Sequence, residues 1–182
     1  MAQSTRETKL GGETIYSGRV VVLEVDRVRL PDGGESAREV IRHRGAAVVL
    51  PILDDGTVVM VRQYRYPVAA ALLELPAGTL EPGEDPMACA ARELVEETGY
   101  RARTLEPLGR FYSAPGYTDE VLLAVLAVGL EPSADASPDQ DENIAVELLA
   151  AGEVLQRIGS GEIADAKTIA TLMLARLRGV GI

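Results

Sequence analysis

The sequence predicts an α+β fold, an α/β/α sandwich with a mixed β-sheet between helices, preceded by a small antiparallel β-hairpin region. Three observations carry this. The elements run in the order paired strands, one helix, further strands, then two helices. A nearly continuous apolar run, Asp119–Leu130, suits a strand covered on both faces. A segment with its own start and stop signals, Pro86–Thr98, marks a helix in the middle of the chain. We expect residues 1–44 to form the N-terminal β region and residues 45–182 the main domain.

Taken in order, Arg19–Leu30 is rich in β-branched residues and is followed by Pro-Asp-Gly-Gly and then Ser36–Arg44, which reads as a hairpin. Ala46–Leu53 and Thr57–Arg65, separated by Asp-Asp-Gly, read as a second and more deeply buried hairpin. Leu105–Gly116 and Asp119–Leu130 suggest two further strands, and Asn143–Ala150 a short one. The remaining helical signals lie in Ala150–Gly161 and Asp165–Gly179, where Ile169, Leu172, Met173 and Leu177 recur at helical spacing. Between strands, Glu131–Asn143 is a polar, proline-containing loop of a length that is often functional.

Composition narrows the chemistry. The 182 residues suffice for a real core, and 47% apolar with 25% charged content is ordinary for a globular protein. No apolar run has the length of a membrane span, and the first sixteen residues are too polar for a signal peptide. One cysteine, Cys89, excludes an intrachain disulfide and an all-cysteine metal site, so a cytoplasmic location is expected. A net charge of −10 leaves no basic surplus for a nucleic-acid backbone. Smaller phosphates remain compatible where metal ions supply the positive charge. The single histidine, His43, sits beside two arginines, and nothing suggests a histidine-based triad.

The central helix is the informative element. Asp85 is a good N-cap, Pro86 occupies the favoured first position and Gly99 is a natural C′ residue. At about 100° per residue, Met87, Ala88, Ala91, Leu94 and Val95 fall on one side, and Glu93, Glu96 and Glu97 on the other. The expectation is a packing face opposite a carboxylate face. Like charges at i,i+3 and i,i+4 each cost a few tenths, roughly 0.2–0.5 kcal/mol. A merely solvated face usually intersperses lysines; here only Arg92 relieves the field, while Glu81 and Glu84 add to it. Clustered carboxylates on a rigid helix beside a glycine-containing loop are what a hard divalent cation needs.

Gly78, Glu84, Arg92-Glu93-Leu94, Glu96-Glu97, Gly99 and Tyr100 together resemble the Nudix box, G-x5-E-x7-R-E-U-x-E-E-x-G-U, in which U is a bulky apolar residue. All seven fixed positions match, and Tyr100 departs only at the loosest one. A chance match in a chain of this length is on the order of one in a hundred thousand at average residue frequencies. The flanks, Arg-Gln-Tyr-Arg-Tyr and Leu-Leu-Glu-Leu-Pro-Ala-Gly before the box and Ser-Ala-Pro-Gly-Tyr-Thr-Asp-Glu after it, resemble the ADP-ribose pyrophosphatase branch. That branch has a proline about sixteen residues past the box; here Pro115 lies 16 residues after Gly99.

The resemblance implies a Nudix fold and Mg²⁺-dependent hydrolysis of the pyrophosphate bond of ADP-ribose to AMP and ribose 5-phosphate. Two or three Mg²⁺ ions are implied, with Mn²⁺ able to substitute. The alternatives are another nucleotide sugar such as GDP-mannose, a dinucleoside polyphosphate, or a non-catalytic nucleotide-sensing module. Matching positions imply Glu93 and Glu97 as catalytic metal ligands, joined by Glu96 and the carbonyl of Ala77. Glu84 and Arg92 would support those ligands from behind. Glu142 matches the base that activates water, with Asp139 and Asp141 as competitors. Arg65 would contact the phosphates, Glu120 the terminal ribose, and Pro115-Gly116 would shape the substrate loop. Tyr16, Tyr64, Tyr66 and Tyr117 are candidates for stacking on adenine. The branch further implies a homodimer built through the N-terminal strands, with no nucleic-acid or membrane partner.

Overall fold

The segment Ala46–Pro51 is buried along its whole length, and the larger part of the molecule is built around its two faces. The structure, a computed structural model, describes residues 5–134 and 143–182. It forms two units: Met1–Arg44 with Tyr112–Val121, and Gly45–Phe111 with Leu122–Ile182.

In the first unit, strands β1 (Thr8–Ser17), β2 (Val22–Arg29) and β3 (Glu35–Arg42) form an antiparallel sheet in the order β1-β2-β3. The β2–β3 hairpin is the expected one. Gly33 sits at φ 91°, and the Gly34 N–H donates to Asp32 Oδ1 at 2.9 Å across the turn. Strand β1 has no expected counterpart, because its sequence is polar and carries two glycines. It is held by pairing with β2 and by ion pairs. Lys9 meets Asp26 at 2.6 Å, and Arg38 meets Glu7 at 2.6 Å. Gly12 leaves room where a Cβ would overlap the buried Asp26 carboxylate.

The second unit contains β4 (Ala46–Pro51), β5 (Thr57–Arg65), a 3₁₀ turn (Tyr66–Val68), β6 (Ala70–Glu74), β7 (Ala77–Thr79), α1 (Pro86–Thr98), β8 (Tyr100–Tyr112), β9 (Val121–Pro132), β10 (Ile144–Ala150), α2 (Ala151–Ser160) and α3 (Ala166–Leu177). One sheet has the order β7-β4-β9-β8, with β4 and β9 parallel and β4 and β7 antiparallel, so it is mixed as expected. A second sheet has the order β10-β5-β6.

The expected second hairpin is corrected. Beyond a single bridge, Ile52 with Val58, strands β4 and β5 part into different sheets. Val48 and Leu50 then face Val58 and Met60 through one core cluster, where they join Leu73, Leu172 and Ala175. The alternate residues of β4, Ala47 and Val49, pack with Cys89, Ala90 and Leu94 of α1. A two-residue side-chain period and burial on both faces therefore force α1 onto one side of β4, and the second sheet with α3 onto the other. Helix α3 spans the expected region, but Met173 and Leu177 are exposed. Thr168, Thr171, Leu172 and Ala175 form its buried face. Among the described residues, no helix is long and apolar enough to cross a membrane.

Helix α1 has the predicted bounds. The Asp85 carboxylate accepts from the N–H groups of Met87 and Ala88 at 2.9 and 3.3 Å, and Gly99 closes the helix at φ 72°. Asp85→Ala should therefore destabilise the fold by about 1 kcal/mol, seen as a lower urea midpoint with an unchanged slope. An unchanged midpoint would show that the cap contributes nothing.

Candidate metal centre

The expected division of α1 into a packing face and an opposite carboxylate face does not hold. Ala88 and Ala91 are exposed, whereas Glu93 and Glu97 are 8% and 6% exposed and share the buried face with Cys89, Ala90 and Leu94. Alanine gains little by burial. The carboxylates are buried because strand β7 runs directly against them. A Cβ built on Gly78 would overlap the Glu93 carboxylate, so only glycine permits this approach. The N–H of Ala77, one residue earlier, donates to Glu97 Oε2 at 3.1 Å.

Arg92 holds the acidic group together. Its Nε and Nη2 donate to the two oxygens of Glu84 at 2.9 and 3.0 Å, and its Nη1 donates to Glu93 at 2.6 Å and Glu96 at 2.9 Å. The Glu81 N–H also donates to Glu84 at 2.8 Å. The guanidinium holds the Glu84 carboxyl down at about 2, aided by the Glu81 amide and opposed by burial. Reciprocally, the Glu84 bonds push Arg92 above its ordinary value against the effect of burial, with Glu93 and Glu96 adding to the push. One cation thus serves three carboxylates, and Glu97 makes a fourth.

Donor chemistry decides which metal this arrangement fits. The oxygens of Glu93, Glu96 and Glu97 and the carbonyl of Ala77 are hard ligands of the kind Mg²⁺ and Mn²⁺ prefer. The one thiol nearby does not compete: burial, then Glu84 and Glu93, push Cys89 up to about 12, and it points to the Gly78 carbonyl at 3.5 Å. Among the described residues, no three acidic, histidine or cysteine side chains converge on one point as a closed ligand set. Glu93 and Glu96 are turned to Arg92, and Glu97 to the Ala77 amide.

On the same unit, Arg65 forms a fork with Glu74, Nε to Oε1 at 3.0 Å and Nη2 to Oε2 at 2.7 Å. Glu74 is 1% exposed and is also ion-paired with Lys167. Glu97 lies within electrostatic reach of Arg65. Sequence reasoning assigned no role to Glu74 or Lys167; nothing local marks a partner 93 positions away.

Of the remaining candidates, Tyr64 and Tyr66 lie in the second unit, and the others lie in the first unit or outside the described residues. Asp119 accepts from the His43 N–H at 2.8 Å and from Arg42 at 3.2 Å, and Glu120 lies 3.5 Å from His43 Nδ1. Ile41 and Tyr117–Asp119 exchange backbone hydrogen bonds, which tie the Pro115-Gly116 turn to β3. The sequence reading missed Arg42, which also binds Glu24 and Asp26 at 2.9 and 3.0 Å. Tyr16, Tyr64, Tyr66 and Tyr117 are all exposed, so none is a core residue. Glu142, Asp139 and Asp141 lie outside the described residues.

A mixed sheet capped by a helix whose glutamates face a glycine strand defines the class: the chain belongs to the Nudix family and is a Nudix hydrolase. The profile of the NUDIX domain matches residues 42–172. At the level of particular proteins, the chain is 42% identical over 179 residues to a methanol dehydrogenase activator from Bacillus methanolicus, covering 98% of this chain and 97% of that one. It is 39% identical over 177 residues to the ADP-ribose pyrophosphatase of Bacillus subtilis (strain 168), covering 97% and 96%. A crystal structure of an ADP compounds hydrolase superposes with a TM-score of 0.87 at 26% identity, covering 99% of each chain.

The Glu84 geometry gives a pH prediction. Because its carboxyl titrates near 2 in the fold instead of the ordinary 4.5, it stabilises the fold above pH 4.5 and loses that contribution as the pH falls toward 2. In chelator, wild type should lose urea resistance between pH 5 and 3 more steeply than Glu84→Gln. Parallel pH profiles for the two proteins would contradict the Arg92–Glu84 assignment.

Proposed function

We propose that the protein hydrolyses the pyrophosphate bond of ADP-ribose in the presence of Mg²⁺, releasing AMP and ribose 5-phosphate. The observation that carries this reading is the approach of the Gly78 backbone to Glu93, with Ala77 against Glu97. It brings the β7 backbone against two carboxylates on one buried helix face. The names of the Bacillus subtilis relative and of the solved hydrolase support the substrate class.

Glu93, Glu96, Glu97 and the Ala77 carbonyl would hold the metal. When bound, Mg²⁺ supplies positive charge to the diphosphate, polarises its P–O bonds and lowers the pKa of a coordinated water. Arg92 holds the α1 carboxylates Glu93 and Glu96 in place while bound to Glu84 and to the Thr79 carbonyl of β7, so that ligand geometry is set before substrate arrives. Arg65 binds phosphate oxygens and Glu120 accepts from hydroxyls of the terminal ribose. Glu142 takes the proton of the attacking water. Water adds across one P–O bond, so one phosphate leaves with adenosine and the other with ribose. The single-cysteine composition is consistent with a cytoplasmic location.

We further infer a homodimer through the first unit, where Ile15, Tyr16 and Val20 are all more than half exposed on or beside β1. Sedimentation should return twice the 19.4 kDa chain mass, and a monomer would exclude this assembly.

Purified protein incubated with ADP-ribose, GDP-mannose and a diadenosine polyphosphate should release AMP fastest from ADP-ribose, and only without chelator. No metal-dependent product from any of them would sink the catalytic reading. Glu97→Gln should lower kcat by about a hundredfold or more, beyond the usual effect of losing a ligand's supporting partner, while the metal-free fold is retained. Glu142→Gln with near-wild-type turnover would remove Glu142 from the role of base.

A further inference from the structure

Glu74 is a buried carboxylate with two cationic partners on two different elements. Arg65, at the end of β5, takes both of its oxygens in a fork, and Lys167, in the first turn of α3, reaches Oε2. Lys167 is itself held by Asp165 Oδ2 at 3.0 Å, and Asp165 also accepts from the Thr168 N–H and hydroxyl at 3.0 and 2.6 Å. The Thr168 Oγ1, fully buried, accepts from the Leu75 N–H at 2.8 Å. The start of α3 therefore grips residues 74 and 75 by two independent bonds, just before the Ala77-Gly78 strand that meets Glu93 and Glu97.

Charge explains why both cations are required. Burial alone pushes the Glu74 carboxyl up, but the Arg65 fork and Lys167 together outweigh it and hold the group below its ordinary value. The four side chains carry two positive and two negative charges. If Lys167 is removed, Asp165 keeps its charge and Glu74 retains only the Arg65 fork, in a position with almost no access to water. A buried carboxylate short of one partner loses its ionised form or its geometry.

The fork uses Nε and Nη2 of Arg65, so the Nη1 edge is the one directed away from Glu74. Resting on the assignment of Arg65 to substrate phosphates, we propose that Lys167 is a positioning residue for diphosphate recognition. It fixes Glu74 as an ionised bidentate acceptor, and Glu74 in turn presents the Nη1 edge of Arg65 to a phosphate oxygen. A guanidinium already locked by its partner loses less conformational freedom when it binds, so the effect falls on ground-state affinity.

The test is a double-substitution cycle with a readout of the guanidinium itself. Lys167→Met should raise KM for ADP-ribose by about tenfold with kcat within about twofold, the pattern of lost uniform binding. Lys167→Arg should recover most of the loss. Arg65→Ala should raise KM at least as much, and adding Lys167→Met to it should raise KM no further. Multiplicative effects in the double variant, or Lys167→Met with unchanged KM, would overturn the proposal. The nitrogen–proton resonance of Arg65 Nε, followed by NMR in the full chain without substrate, separates this from the substrate reading. It should exchange slowly with water in wild type and in Lys167→Arg, and rapidly in Lys167→Met. Equal exchange in all three would refute the positioning role even if ADP-ribose were a good substrate. Slow exchange in wild type that is lost in Lys167→Met would support it even if ADP-ribose were not hydrolysed.

Discussion

The constraint on which the rest depends is the placement of carboxylates on the buried face of a helix with one guanidinium among them. Glu84, Glu93 and Glu96 all bind Arg92, and the first two are largely withdrawn from water. Removing one partner from a buried ion pair typically costs about 3–5 kcal/mol, so Arg92 is fixed by the acids as firmly as they are by it. The arrangement also explains the bounds of α1. Asp85 and Pro86 start the helix where Glu84 must turn back to Arg92, and Gly99 ends it two residues after Glu97.

That acidic face works only because a backbone is brought against it, and the packing of β4 brings it there. With both faces of β4 covered, α1 is fixed on one side by Cys89, Ala90 and Leu94, and β7 is fixed beside β4 by antiparallel pairing at Ala46–Val48. The glycine at position 78 is thus determined twice, once by the pairing and once by the carboxylate it faces. The other side of β4 carries α3, whose first turn reaches Glu74 and Leu75. Apolar packing sets the distances, and the charged groups use them.

The box and its helix were legible because their signals are local: a cap, a proline, a C′ glycine and fixed spacing within 23 residues. Strand β1 was not legible, since its stability comes from Lys9, Glu7 and the β2 edge and not from its own polar sequence. The Ala46–Arg65 region was misread as a hairpin for a related reason. Two β-rich runs about a short turn look alike whether the strands pair with each other or part into facing sheets, and only the partners β7, β9, β10 and β6 decide. The helical wheel set the apolar residues opposite the glutamates, but burial followed the approach of β7, so Glu93 and Glu97 are buried while Ala88 and Ala91 are exposed.

The sequence by itself determined the family, the helix that carries the carboxylates and which residue types stand at each position of the box, because all of these are written within a few helical turns. The tertiary structure alone decided that Glu93 and Glu97 are buried against Gly78 and Ala77, and that Glu74 joins Arg65 to Lys167 across 93 residues. Burial and long-range ion pairing depend on which surfaces pack together. That is set by the two-sided core around β4, and no local pattern of charge or hydropathy encodes it.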